Sequence, residues 1–132
     1  MRIGLVVELH GRPEGPNKPD WDSIHELAKT AEGVGFDMFV FEDVLLYRGE
    51  DHTDGCWESM AIAAALAAST DHISFGQSVI NSPYRSPTLV AAQATTLDEI
   101  SCGRYVLGIG AGNSDDYEDF GFPPDFRFSR FE

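Results

Sequence analysis

Four segments of the chain hold side chains able to do chemistry. The run G-I-G-A-G-N-S at 108–114 places small residues directly after an apolar stretch. Such residues let backbone N–H groups close on an anion, with phosphate or diphosphate the natural partner; the same run also suits a tight turn with glycines at positive φ. Its G-x-G-x-G spacing lacks the last, helix-packing glycine of a dinucleotide fingerprint and follows the fourth apolar run rather than the first. In Q-S-V-I-N-S-P-Y-R-S-P at 77–87 an apolar run breaks into Ser, Asn, Arg and two prolines. A break of this kind marks either a bulge on whose exposed backbone a flat ligand rests, with Ser78 and Asn81 as hydrogen-bonding partners, or a loop stiffened ahead of a helix. Arg85 is one of nine Lys and Arg in the chain, and pattern alone favours a salt bridge to a nearby carboxylate over an anionic ligand. Glu42 and Asp43 in F-E-D-V end a second apolar run, and Glu8 ends the first. A carboxylate there can accept from a ligand N–H, orient a base, or cap the following turn.

The histidines are His10, His25, His52 and His72, and none falls in an H-x-H or H-E-x-x-H spacing, so no metal site is expected. His10 and His52 lie in segments that follow apolar runs and are the candidates, with Asp43, for moving a proton; His25 and His72 read as packing or surface residues. Asp115, Asp116, Glu118 and Asp119 lack the spacing of a calcium loop and read as a solvated loop.

Elements that could position these groups follow from periodicity. Apolar runs at 1–9, 36–41, 72–79 and 104–109 alternate with stretches of helical spacing, which predicts four strands separated by helices. Trp21, Ile24, Leu27, Ala28, Ala31 and Val34 form the first stripe behind a capping Asp20, closed by Gly33 and Gly35. Trp57, Met60, Ala61, Ala64, Ala67 and Ala68 form a second, in a helix expected over 56–69. Ser86-Pro87 opens a third, with Val90, Ala94, Leu97 and Ile100 facing inward, and residues 126–132 begin a fourth. The order is βαβαβαβ, which demands parallel strands. Strand starts recur at about 33 residues, the average of one unit in an eight-fold barrel. The fold class expected is therefore α/β, of the (β/α)8 TIM-barrel type, with only the first four β/α units present as a half barrel. An open doubly wound sheet is the competing arrangement. Either way the segments 10–19, 42–55, 80–86 and 110–125 gather at the carboxyl edge.

Composition narrows the function further. The chain has 132 residues, is 42% hydrophobic, and shows no linker or change of regime, so it reads as a single domain, 1–132, able to bury a core without staples. Nine cationic against twenty-two acidic side chains give a net charge of −13, which argues against nucleic acid and anionic lipid as partners. Cys56 and Cys102 are far apart and outside any C-x-x-C pattern, which suits free thiols in a reducing compartment. The N-terminal apolar stretch is too short for a signal sequence or membrane span, so a cytoplasmic location is expected.

Taken together, E-L-A-K-T-A-E-G-V-G-F-D at 26–37, T-D-H-I-S-F-G-Q-S-V-I-N-S-P-Y-R-S-P at 70–87 and T-L-D-E-I-S-C-G-R-Y-V-L-G-I-G-A-G at 96–112 resemble the luciferase-like monooxygenase family in order and spacing. These are (β/α)8 barrels that use FMN or the deazaflavin coenzyme F420. The resemblance extends to F-G-F-P and R-F-S-R-F-E near the end of the chain. It implies that Ser78-Val79 is the family's bulge, with a non-proline cis peptide supporting the ring, and that Asn81 bonds the ring's pyrimidine edge. It further implies that Gly110, Ala111, Gly112 and Asn113 contact the phosphate, and that Asp43 matches the Asp after strand two. One branch of deazaflavin dehydrogenases carries Asp-His at that point, where this chain has Asp43-Val44.

The activity implied is oxidation of a small organic substrate through a reduced flavin or deazaflavin and O2. Hydride transfer without oxygen insertion, as in the deazaflavin branch, is the enzymatic alternative. A half barrel that binds a ligand or partner chain without catalysis is the other. A half barrel leaves strand edges and an apolar face uncovered, which homo-oligomerisation or a missing C-terminal half would resolve.

Overall fold

A computed structural model describes residues 1–11, 18–112 and 114–122 of the protein. In chain order its elements are β1 (Gly4–Val7), α1 (Trp21–Gly33), β2 (Met38–Phe41), β3 (Leu46–Arg48), β4 (Thr53–Gly55), α2 (Ser59–Ser69), β5 (Ser74–Gln77), β6 (Ile80–Asn81), a 3-10 turn at Ser82–Tyr84, α3 (Pro87–Ile100), β7 (Tyr105–Val106), β8 (Ile109–Gly110) and α4 (Ser114–Asp119).

β1, β2, β5 and β7 pair in that order, every ladder parallel. Neighbours in the sheet follow chain order without a reversal, the progression of a barrel rather than of a doubly wound sheet. The expected third and fourth strands are present but interrupted. After Gln77 and Val106 each breaks, and pairing resumes as β6 on β8, with Ile80 opposite Ile109 and Asn81 opposite Gly110. The peptide between Ser78 and Val79, inside that break, is cis.

Local sequence explains the helices. The Asp20 side chain accepts from Ser23 N–H at 2.8 Å to start α1, Glu58 does the same for Ala61 N–H in α2 at 2.7 Å, and Ser86 for Leu89 N–H in α3, each satisfying an N–H that the helix leaves unpaired. Side chains alternate across the strands, and Leu5, Phe39, Phe75 and Tyr105 line up on the face that packs against Ile24, Ala28, Met60, Ala63 and Leu66. On the other face Val6 and Val106 are exposed.

Several expectations are corrected. α2 begins at Ser59, not at residue 56, and buries Ser59, Met60, Ala63, Leu66 and Ala67, whereas Ala61, Ala64, Ala68 and Trp57 are exposed. That helix is apolar on all sides, so spacing carried no information about which face turns inward. Leu27 of α1, Val34 just past its end and Ile100 of α3 are likewise exposed. The segment 42–55 is not a plain loop: β3 and β4 form an antiparallel hairpin, with Tyr47 opposite Asp54. The fourth helix expected at 126–132 lies outside the described residues, and the acidic run at 115–119, expected as a loop, lies within the helix α4.

Candidate functional site

Because the strands are parallel, the segments after β1, β2, β5 and β7 meet at one edge, and three structures are built there.

The first is a buried polar network around Asp43, which is 4% exposed. Its carboxylate accepts from Asn81 N–H at 2.8 Å and Ser59 Oγ–H at 2.6 Å, and from Arg85 Nη1 and Nη2 at 2.6 and 2.9 Å. Glu58 also accepts from Arg85. Burial opposes the guanidinium's charge, but Asp43 and Glu58 outweigh it and raise its pKa. The chain of polar groups continues inward: Gln77 Nε2 donates to Ser59 Oγ at 3.3 Å, and Tyr105 Oη donates to Gln77 Oε1 at 2.8 Å. Desolvation is the main reason the Tyr105 hydroxyl is pushed up to about 12. Arg85 thus serves a carboxylate, as pattern suggested. Asp43 spends both oxygens on protein donors and positions the start of β6 from the end of β2. Ser59, Gln77, Glu58 and Tyr105 were not singled out from sequence, since each lies inside a stretch that reads as ordinary helix or strand.

The second is the meeting of the Ser78–Val79 segment with the glycine run. Ser78 and Val79 are exposed, and Val79 leans on the glycines: a Cβ at Gly110 would lie 2.5 Å from Val79 Cγ2. Gly112 has φ +85°, and a Cβ there would run into Asn81 Oδ1, so both backbone shape and space require glycine. Ala111 O accepts from Tyr117 Oη at 2.8 Å, which pins the loop from α4. The structure therefore brings Ser78, Val79, Asn81, Gly110, Ala111 and Gly112 together; Asn113 lies outside the described residues.

The third gathers around Glu42. Its Oε1 accepts from Leu9 N–H and from His10 Nδ1, both at 2.7 Å. His10, 6% exposed, is stacked on Tyr47 with centroids 3.6 Å apart. The His52 ring lies 6.2 Å from the same Tyr47 ring, and its Nε2 faces Asp54 at 3.5 Å. Cys56 Sγ completes the group: it, a ring nitrogen of His10 and a carboxylate oxygen of Glu42 lie within 4.8 Å of one another. Burial first, and the Glu42 charge second, push the Cys56 thiol up to about 12. The hairpin explains the convergence, because it returns the chain to β1, where Trp57 N–H donates to Leu9 O. Spacing motifs cannot find this group, whose members come from three separate elements. His25 sits in α1 against Trp21, and His72 is exposed at the opposite edge. Glu8 is also exposed.

Among the described residues no helix is long and apolar enough to cross a membrane.

Comparison with known proteins gives a consistent picture. The family described as luciferase-like monooxygenase matches residues 1–132. A 4-hydroxyprotoasukamycin monooxygenase from Streptomyces nodosus subsp. asukaensis is 34% identical over 113 residues, covering 83% of this chain but 28% of the relative. Two solved structures superpose well. One is the coenzyme F420-dependent tetrahydromethanopterin reductase of Methanopyrus kandleri (TM-score 0.70, 27% identity, 93% of this chain and 31% of that one). The other is the oxygenating constituent of 3,6-diketocamphane monooxygenase of Pseudomonas putida, in complex with FMN (TM-score 0.71, 27% identity, 92% and 33%). The chain spans about a third of the length of these relatives.

Proposed function

Since the chain belongs to the luciferase-like monooxygenase family, we propose that it forms the first four β/α units of a barrel that holds reduced FMN or F420 at its carboxyl edge and oxidises a small organic substrate with O2. The observation that carries this reading is the contact between Val79 and Gly110, and between Asn81 and Gly112, which leaves no room for side chains between the two segments. The cradle suits a flat ring with a phosphate tail. The exposed Ser78–Val79 segment is the seat for the ring, Asn81 its polar neighbour, and the backbone of Gly110, Ala111 and Gly112 the phosphate contact. Such a group, when bound, supplies the electrons that O2 chemistry or hydride transfer needs. The protein's own part is to bind, orient and exclude water. Asp43 positions the seat through Asn81 N–H and Arg85. His52, partly exposed beside Asp54, is the better-placed proton carrier; His10 is buried and held by Glu42 and Tyr47.

Hydride transfer without oxygen insertion is the second reading, favoured by the likeness to the F420-dependent reductase. The test is to titrate the protein with FMN and with F420, following fluorescence. Saturable binding of either is expected, with at least a tenfold loss in G112A. Absence of binding by both, or unchanged affinity in G112A, overturns the reading. Incorporation of labelled O2 into product separates oxygenation from hydride transfer.

A further inference from the structure

The Glu42 group combines three donor chemistries at one point: an imidazole, a carboxylate and a thiol. Each is held there by contacts of its own. Leu9 N–H bonds Glu42 at 2.7 Å, Tyr47 lies flat on His10 at 3.6 Å, and Cys56 N–H bonds Leu45 O at 3.0 Å. We propose that His10, Glu42 and Cys56 form a binding site for a borderline divalent transition metal, Zn2+ being the best fit, which ties the β3–β4 hairpin to the ends of β1 and β2.

Donor type selects the metal. Imidazole and thiolate favour Zn2+ and its neighbours, while Ca2+ and Mg2+ take oxygen ligands. Charge agrees: a thiolate and a carboxylate balance a dication, and the ring adds none. Geometry is close. Four-coordinate Zn2+ with bonds of about 2.0–2.3 Å spaces its donors by roughly 3.3–3.8 Å, and the three ligand atoms here lie within 4.8 Å of one another. The widest contact closes by about an ångström at most. The His10–Glu42 hydrogen bond, 2.7 Å without metal, opens by a similar amount. On binding, the metal takes the place of protons. The Cys56 thiol releases its proton to solvent; His10 gives up the Nδ1 proton it shares with Glu42 and takes one from solvent at Nε2, so that the neutral ring coordinates through Nδ1. Three protein donors leave a fourth position for water.

The test is titration of EDTA-dialysed protein with Co2+, read by absorbance. One equivalent is expected to produce a thiolate-to-cobalt charge-transfer band and visible bands of four-coordinate cobalt, both abolished by Zn2+. C56S is expected to lose the charge-transfer band and to bind at least tenfold more weakly, whereas C102S keeps both. No charge-transfer band in the unsubstituted protein, or a band that survives C56S and disappears in C102S, overturns the site. Should C56S fail to fold, alkylation of the unsubstituted protein decides: Zn2+ is expected to slow reaction at Cys56 at least tenfold relative to exposed Cys102, and an unchanged ratio overturns the proposal. Neither readout depends on flavin binding, so the outcome is independent of the proposed oxidation.

Discussion

Glu42 and Asp43 stand side by side at the end of β2 and carry the same functional group, but their carboxylates meet different neighbours. Asp43 turns toward β6 and α2 and is filled by Asn81 N–H, Ser59 and both Arg85 Nη atoms. Glu42 turns toward β1, where Oε1 serves Leu9 N–H and His10, with the Cys56 thiol beside them. The difference is one of completeness. A buried carboxylate with hydrogen-bonded charge partners is a fixed point of the fold, because every alternative leaves a buried charge without a partner. A carboxylate grouped with an imidazole and a thiol keeps donors that can be reassigned, which is what ligand or metal chemistry needs. One fixes the start of β6 next to Val79; the other supplies adaptable chemistry at the same edge.

The largest expected effect tests the fixed point. Asp43→Ala leaves the Arg85 charge with Glu58 alone, and a loss of about 3–5 kcal/mol is expected in urea unfolding. A loss below about 1 kcal/mol would mean that Arg85 repairs itself through Glu58 and that the two carboxylates do not differ in kind.

An intermediate effect comes from a third carboxylate, Glu32, which clamps backbone at the opposite edge and calibrates the first two. Burial works against its charge. Lys29 and the N–H groups of His72, Ile73 and Asp71 overcome that and hold the carboxyl at about 2, below its ordinary 4.5. The depressed value means that its stabilisation is complete above about pH 4.5 and disappears as pH falls toward 2. E32Q is expected to cost about 1–2 kcal/mol at pH 7, discounted because Lys29 stands partly in water. It should also flatten the dependence of stability on pH across that acid window. An unaltered acid profile would show that Glu32 is not a clamp.

The smallest effect belongs to the adaptable carboxylate. E42Q retains an acceptor for Leu9 N–H, so metal-free protein is expected to lose only about 1 kcal/mol in the same unfolding experiment. A loss as large as that of Asp43→Ala would erase the contrast.

How much of this was legible in the chain depends on the range of the interactions. Helix starts at Asp20 and Ser86 follow from a polar side chain three residues before the N–H it satisfies, a contact any short window contains. The four-strand order follows from apolar runs of the right length. The break at Ser78–Val79 and the glycine run were visible as composition, and family resemblance assigned them to one ligand. The inward face of α2 was not legible, since alanines on every side give no preference. Nor was the β3–β4 hairpin, whose three-residue strands are too short for alternation to register.

The sequence by itself therefore determined the alternation of strands and helices, the edge at which polar segments collect, and the glycines a close backbone approach requires. Only the tertiary structure decided that Asp43 would meet Arg85 and that Glu42 would meet His10 and Cys56. Those contacts join residues far apart in the chain, and their partners depend on which strands become neighbours and where the hairpin returns. Local propensity encodes neither; packing of the parallel sheet does.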